Sequence, residues 1–321
     1  MVSYTDSTMP AEVLNQKFIL ISKITLVSIY LVILAGGIVR MTESGMGCPD
    51  WPKCFGMWIP PTDVSQLPNN YQEIYAESYS DTTFNPFHTW TEYVNRLIGA
   101  VSGILVFATF VLSVIWIKSK RVIIPAIAQV FLMGFQGWLG SQVVASNLQP
   151  TKITIHMLVA LLIVLVQLVI IKEAIPSSTA KGKSGLGNLR PVLWSVIILS
   201  IVQIVFGTQV RQQIDEISLA LNHSTRELWI AKLGTVFYIH RSFSIIVLGL
   251  NGWLIYELIK HNSQVKLAVI LGILLGLEIL VGVILNYLNM PAIMQPTHLV
   301  LATIIFGVQI QLKFACTKQQ F

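Results

Sequence analysis

The sequence predicts an all-α polytopic membrane protein whose eight transmembrane helices form two tandem, pseudo-repeated four-helix bundles. Three observations carry that prediction. First, the 321 residues are 54% hydrophobic and only 11% charged, where a soluble domain carries roughly a quarter charged residues, and the mean hydropathy is +0.69. Second, apolar runs near twenty residues recur along the chain, each long enough at about 1.5 Å per helical residue to cross a hydrocarbon core of about 30 Å. Third, the chain repeats itself. Gly140 precedes His156 by the same interval that separates Gly282 from His298, and the segments QPTKITIHMLVA and MQPTHLVLA both lead a Gln-Pro-Thr turn into a span that carries His in its first turn. Glu92-Tyr-Val-Asn95-Arg96 mirrors Tyr238-Ile-His240-Arg241, and Arg40 mirrors Arg211.

The spans fall at 18–40, 93–117, 122–145, 152–172, 191–210, 234–259, 266–289 and 296–315. The first lacks a small-residue cleavage site, so it is retained as a span. Basic residues then fix the orientation. Lys17 and Lys23 lie at the start, Lys118, Lys120 and Arg121 separate spans two and three, and Lys181, Lys183 and Arg190 separate four and five. Lys260 and Lys266 separate six and seven, and Lys313 and Lys318 close the chain. All fall on one side, which the positive-inside rule makes cytoplasmic, with both termini. The loop between spans one and two carries Glu43, Asp50, Asp63, Glu73, Glu77 and Asp81 against Lys53 and belongs outside. The first seventeen residues include Asp6 and Glu12 and have no Arg-rich amphipathic character, which points to a bacterial cell membrane rather than an imported precursor. A Ser-, Gly- and Lys-rich stretch, 176–190, divides the chain into an N-terminal bundle (1–175) and a C-terminal bundle (191–321). The net charge of +6 reads as this topology. Without an aromatic-interleaved basic patch, it gives no indication of nucleic-acid binding.

Ionisable groups at membrane depth are expensive and usually functional. His156, His240 and His298 lie at the outer ends of spans four, six and eight, and His88 precedes span two. His240 and His298 come from two helices at similar depth, the paired imidazoles that six-coordinate haem iron requires, and Ser244, Gly249 and Ala302 are small enough to admit the flat ring. Zinc fits less well, since neither HExxH nor CxxC spacing occurs and the histidines are dispersed one per helix. In the first half Asn95 occupies the place of His240, and an amide is a poor iron ligand. His88, Glu92 and Asn95 share one helical face, continued by Gly99 and Gly103, which sets a carboxylate where a haem edge would pass. Arg40, Arg96, Arg211 and Arg241, at the outer ends of spans, are placed to pair with haem propionates or to snorkel to lipid headgroups. Cys48 and Cys54, in the outer loop, are open to a bridge, a redox dithiol or two reduced thiols. Cys316 at the cytoplasmic end should be a free thiol.

Taken in order, GGIVRMTESGMGCPDWPKCFG, EYVNR, QGWLGSQVV, QPTKITIH, YIHR and QPTH resemble the haem A synthases, which convert haem O to haem A for cytochrome oxidase. The resemblance implies tandem four-helix bundles, with His240 and His298 as axial ligands of a resident haem b in the second half. It implies a substrate site for haem O in the first half, with His156 on the substrate iron, Glu92 as the catalytic acid residue, and Cys48 and Cys54 as the family's outer-loop cysteine pair. The family's Glu-x-x-His-Arg motif reads Glu92-Tyr-Val-Asn95-Arg96 here. Either His156 binds the substrate iron alone or His88 supplies the second ligand. The expected reaction is oxidation of the C8 methyl of haem O to the formyl of haem A by successive hydroxylations. Expected partners are a haem O synthase, the cytochrome oxidase assembly machinery, membrane lipid and a second copy of the chain as a homo-oligomer. The competing readings are a di-haem membrane cytochrome b that only carries electrons, and a transporter that holds no haem.

Overall fold

The structure, a computed structural model, describes residues 10–75, 84–146, 148–176, 189–222 and 224–317. Most of the 176–190 linker lies outside these residues, as do Asp6, Glu77, Asp81, Lys181, Lys183 and Lys318. Eight long helices among the described residues are apolar enough to cross a membrane. They are α1 (Ala11–Met41), α2 (Pro86–Leu112, prolonged by one wider turn, Ser113–Ile117), α3 (Lys120–Ala145), α4 (Pro150–Ala174), α5 (Arg190–Ala220), α6 (Thr235–Lys260), α7 (Val265–Tyr287) and α8 (Met294–Thr317). The chain is an all-helical, multi-pass membrane protein.

Several helices outrun the apolar spans because local chemistry continues them. Asn85 caps α2, its side chain accepting from the N–H groups of Phe87 (3.0 Å) and His88 (3.4 Å), with Pro86 at the first helical position. The polar-aromatic stretch before position 93 is therefore helical, and His88 sits in its first turn. Helix α5 runs ten residues past 210 through QQIDEISLA, whose Ile214 and Ser218 are buried.

Helices α1 to α4 pack in a ring, α1 on α2, α2 on α3, α3 on α4 and α4 on α1. Helices α5 to α8 close a second ring in the same sequence of contacts. The rings meet where α1 and α4 pack on α8 and α4 packs on α5. The largest core cluster fills that seam, with Ile29 and Ile33 of α1, Leu161, Val164 and Leu168 of α4, Val196 of α5, and Ile305 and Leu312 of α8. Outward faces keep large apolar side chains exposed, such as Ile104, Phe131 and Ile245. In lipid such faces need no cover, and association relies instead on close packing and hydrogen bonds between helices, worth about 0.6 kcal/mol each on average. Such bonds occur at several seams. Thr25 and Thr109 join α1 to α2 (3.0 Å), Gln129 Nε2 donates to the Ile163 carbonyl across α3 and α4 (3.1 Å), and Gln167 Nε2 donates to the Ser22 carbonyl (2.8 Å). Gln309 of α8 donates to Ser200 Oγ (2.9 Å) and Asn251 Oδ1 (3.0 Å), tying together three helices of the second ring.

Candidate functional site

The second ring encloses a cavity of about 490 Å³, within the range of cofactor pockets. His240 and His298 both line it, with ring centroids 6.4 Å apart and planes at 80°. Two metal–imidazole bonds of about 2 Å, with roughly 1 Å more from each nitrogen to its ring centre, would span about that separation, so the two residues would be placed to hold one metal ion between them. The floor under each imidazole is a glycine. A Cβ at Gly207 would stand 3.3 Å from His240 Cε1, and one at Gly282 would stand 3.5 Å from His298 Cε1. A Cβ at Gly207 would require the His240 ring to give by a few tenths of an ångström, whereas one at Gly282 would rest in ordinary contact with His298. Ser244 and Ala302 line the cavity as the sequence suggests, whereas Gly249 is not among the lining residues.

Each histidine is also braced. Gln203 Nε2 donates to the His240 carbonyl at 3.0 Å, and Glu278 Oε1 lies 3.1 Å from His298 Nδ1. The Nδ1 atoms of His240 and His298 are buried with no hydrogen-bond partner, and at His298 the Glu278 carboxylate is the neighbouring charge. Facing imidazoles, glycine floors and an apolar cavity suit a haem held by two histidines. Among the described residues no three His, Cys, Asp or Glu side chains converge on a bare ion.

The four arginines divide between two networks. Arg40, Arg211 and Arg241 line the second-ring cavity. Arg40 Nε and Nη2 both donate to Asp215 Oδ2, at 2.8 and 2.6 Å, and Arg211 Nη2 lies 2.8 Å from Asp215 Oδ1. Arg211 also donates to Gln295 and to the Arg40 carbonyl (3.0 Å), which fastens α5 to α1 and α8. Arg40, although it belongs to the first helix, therefore faces the second-ring cavity. Arg241 lies over the rings of Phe237 and Tyr238.

Arg96 belongs to the first ring. It pairs with Glu92 one turn away and reaches into the loop between α1 and α2, where Nη1 donates to the carbonyls of Asp50 (2.7 Å) and Lys53 (2.9 Å) and Nη2 to that of Cys48 (3.2 Å). Glu92 is only 3% exposed, which removes it from the membrane surface, and its Oε2 accepts the Cys48 N–H at 2.8 Å. Cys48 and Cys54 are joined by a disulfide. The loop closes on that bridge, with both cysteines, Phe55 and Leu67 buried and the Phe55 ring against Tyr75 and Phe84. Thr89 Oγ1 donates to the Gly47 carbonyl at 2.9 Å, and a Cβ at Gly47 would collide with the His88 backbone at 2.3 Å. Gly47 thus allows the loop to lie directly on α2.

His156 repeats the arrangement of the second ring. Gln136 Nε2 donates to its carbonyl at 3.1 Å, a Cβ at Gly140 would stand 3.3 Å from its Cε1, and its Nδ1 is buried without a partner. Glu92, Arg96, Cys48 and Cys54 are brought into contact, as are His240 and His298, while His156 joins neither cluster through a hydrogen bond. Sequence reasoning missed Gln136, Gln203, Glu278, Gly207 and Asp215. The first four carried a signal, since Gln136-Gly140, Gln203-Gly207 and Glu278-Gly282 repeat one four-residue spacing. Asp215 lay beyond the end assigned to span five.

Residues 20–310 match the COX15-CtaA family model, described as cytochrome oxidase assembly protein. The chain is similar to the heme A synthase of Shewanella oneidensis, 30% identical over 186 residues that cover 58% of this chain and 54% of that protein. This match spans about half the length of that relative. The heme A synthases of Bartonella bacilliformis (24% identical over 315 residues, 86% of each chain) and Ehrlichia canis (25% over 317 residues, 88% of each) align over most of both partners.

Proposed function

Because the chain belongs to the cytochrome oxidase assembly protein family, whose model spans residues 20–310, we propose that it is a haem A synthase. Its substrate would be haem O, whose C8 methyl is oxidised to the formyl group of haem A by successive hydroxylations. The observation that carries this reading beyond family membership is Glu92, a buried carboxylate bound to Arg96 and to the backbone of the disulfide loop. An electron carrier has no use for such a group beside its first site, and a transporter has none for facing imidazoles in a second.

In this reading His240 and His298 hold a resident haem b, which when bound supplies one-electron redox chemistry. Gly207 and Gly282 keep the imidazoles set back, and Gln203 fixes the helical turn that carries His240. Arg241 and Arg211 offer guanidinium groups for the propionates, while Arg40 secures Arg211 through Asp215. In the first half His156 binds the substrate iron. Arg96 holds the Glu92 carboxylate, which accepts a proton or stabilises charge at the substrate's edge. The Cys48–Cys54 bridge fixes the loop whose backbone N–H touches Glu92. His88, whose backbone packs under Gly47, lies at the loop end of the same helix. The setting is a bacterial cell membrane with both termini cytoplasmic and the haem sites toward the outer face, and the substrate is handed over by a haem O synthase. A homo-oligomer is part of the same proposal.

The test is expression beside a haem O synthase in a host that makes no haem A, followed by chromatography of the extracted haems. Haem A, or its hydroxylated precursor, is the expected pigment. Haem b and unaltered haem O alone would favour the di-haem carrier, and membranes with no Soret band from this chain would favour the transporter.

A further inference from the structure

The two rings differ at one position in a way that reaches beyond a single side chain. Three histidines each stand above a glycine, His156 above Gly140, His240 above Gly207 and His298 above Gly282. Each of those glycines follows, by four residues, a polar residue that touches its histidine, namely Gln136, Gln203 and Glu278. Matching Arg40 to Arg211 places Gly36 at the position of Gly207, and matching Arg96 to Arg241 places Asn95 at that of His240. The residue four before Gly36 is Val32, so the brace has gone along with the imidazole.

The register of the first ring supports the match. Helices α1 and α2 run antiparallel, with Ser102 Oγ donating to the Ser28 carbonyl (3.2 Å) and Thr25 on Thr109 (3.0 Å), which brings Gly36 level with Asn95. Where the other three glycines meet an imidazole carbon, nothing lies within 4 Å of a Cβ built at Gly36. Asn95 Oδ1 is buried and has no hydrogen-bond partner. Where the other three positions pair a glycine with an imidazole, this one pairs open space beside Gly36 with an unsatisfied amide at Asn95. His88 cannot take over at this level, because it lies seven residues, about 10 Å of helix, farther toward the loop.

We propose that the first-half site gives its haem one protein ligand, His156, and keeps the opposite position open for a small exogenous ligand, water or a diatomic gas, with the Asn95 amide beside it as hydrogen-bond partner. This rests on the reading of the first half as the haem O site. An amide is too weak a donor to occupy the iron, yet it can donate to or accept from a small molecule bound there.

The test uses the full-length protein purified from cells that also make haem O. Three readouts are taken on one sample: extracted haems, ferric electron paramagnetic resonance and carbon monoxide difference spectra of the reduced protein. The expected result is haem O or its oxidation products beside haem b, one high-spin and one low-spin centre, and carbon monoxide bound by one haem of the two. Asn95→His is expected to turn the high-spin centre low-spin and abolish carbon monoxide binding at unchanged haem content, while His88→Ala leaves both signals as they are. If haem O or its products are present but both centres are low-spin and inert to carbon monoxide, the open position is overturned while the substrate reading stands. Carbon monoxide binding gained only in His88→Ala would overturn it in favour of His88. Haem b alone in the extract would overturn the substrate reading and the open position with it.

Discussion

At the residue scale, the proposed reading gives His240 and His298 the same work, one imidazole each for the second-ring haem. Removing one imidazole leaves a single protein ligand, so His240→Ala and His298→Ala are each expected to lose the low-spin b-type spectrum of the reduced protein. An unchanged spectrum in both variants would remove the pair from the haem site. The histidines were legible in the sequence because they repeat in matched turns. The partners of Arg96 and Arg40 were not, because charge and position suit a propionate as well as a protein carbonyl. Only the folded loop shows Arg96 spending its donors on Glu92 and on the carbonyls of Asp50, Lys53 and Cys48, and only the long α5 brings Asp215 to Arg40. Cys48 and Cys54 left a bridge and free thiols both open. The structure joins them, and alkylation of denatured, unreduced protein is expected to label Cys316 and spare those two. Equal labelling of all three would contradict the bridge.

Among the elements, the glycine floors decide what the second ring can hold. Gly207→Val would place carbon atoms against His240 Cε1, which already lies 3.3 Å from an added Cβ. It is expected to expel the b-type haem while the helices still insert and the protein accumulates. Gly249→Ala, at a position with open space and outside the cavity lining, is expected to leave the spectrum intact. The comparison is read from haem per protein in purified samples, and equal loading of Gly207→Val would contradict the floor. Eight helices were legible from hydropathy because lipid demands long apolar runs. Their ends were less so. Apolar patterning stops at the membrane boundary, whereas capping by Asn85 and the ion pairs of Asp215 accompany helices that run farther.

On the scale of the whole molecule, the two rings share one seam, and Asp215 ties one end of it by receiving Arg40 from the first ring and Arg211 from the second. The carboxylate is 38% exposed, so the pairing lies between a surface and a buried salt bridge, and Asp215→Asn is expected to cost about 1–2 kcal/mol. The readout is a thermal midpoint of the detergent-solubilised protein lower by several degrees, together with looser retention of haem b, and an unchanged midpoint would contradict the tie. The repeat and its one departure, Asn95, were legible in the sequence, although the open space beside Gly36 was not, since it depends on how α1 meets α2. The sharpest measurement of the proposed division between a substrate half and a haem b half is haem A yield and b-type spectrum together in Glu92→Gln, expressed beside a haem O synthase in a host without haem A. Glutamine keeps the shape and removes the charge. The expected result is a normal b-type spectrum with haem A reduced by roughly 100-fold or more, the scale of a lost acid–base group. Haem A at the unmodified protein's level, at equal membrane protein, would contradict the role assigned to Glu92.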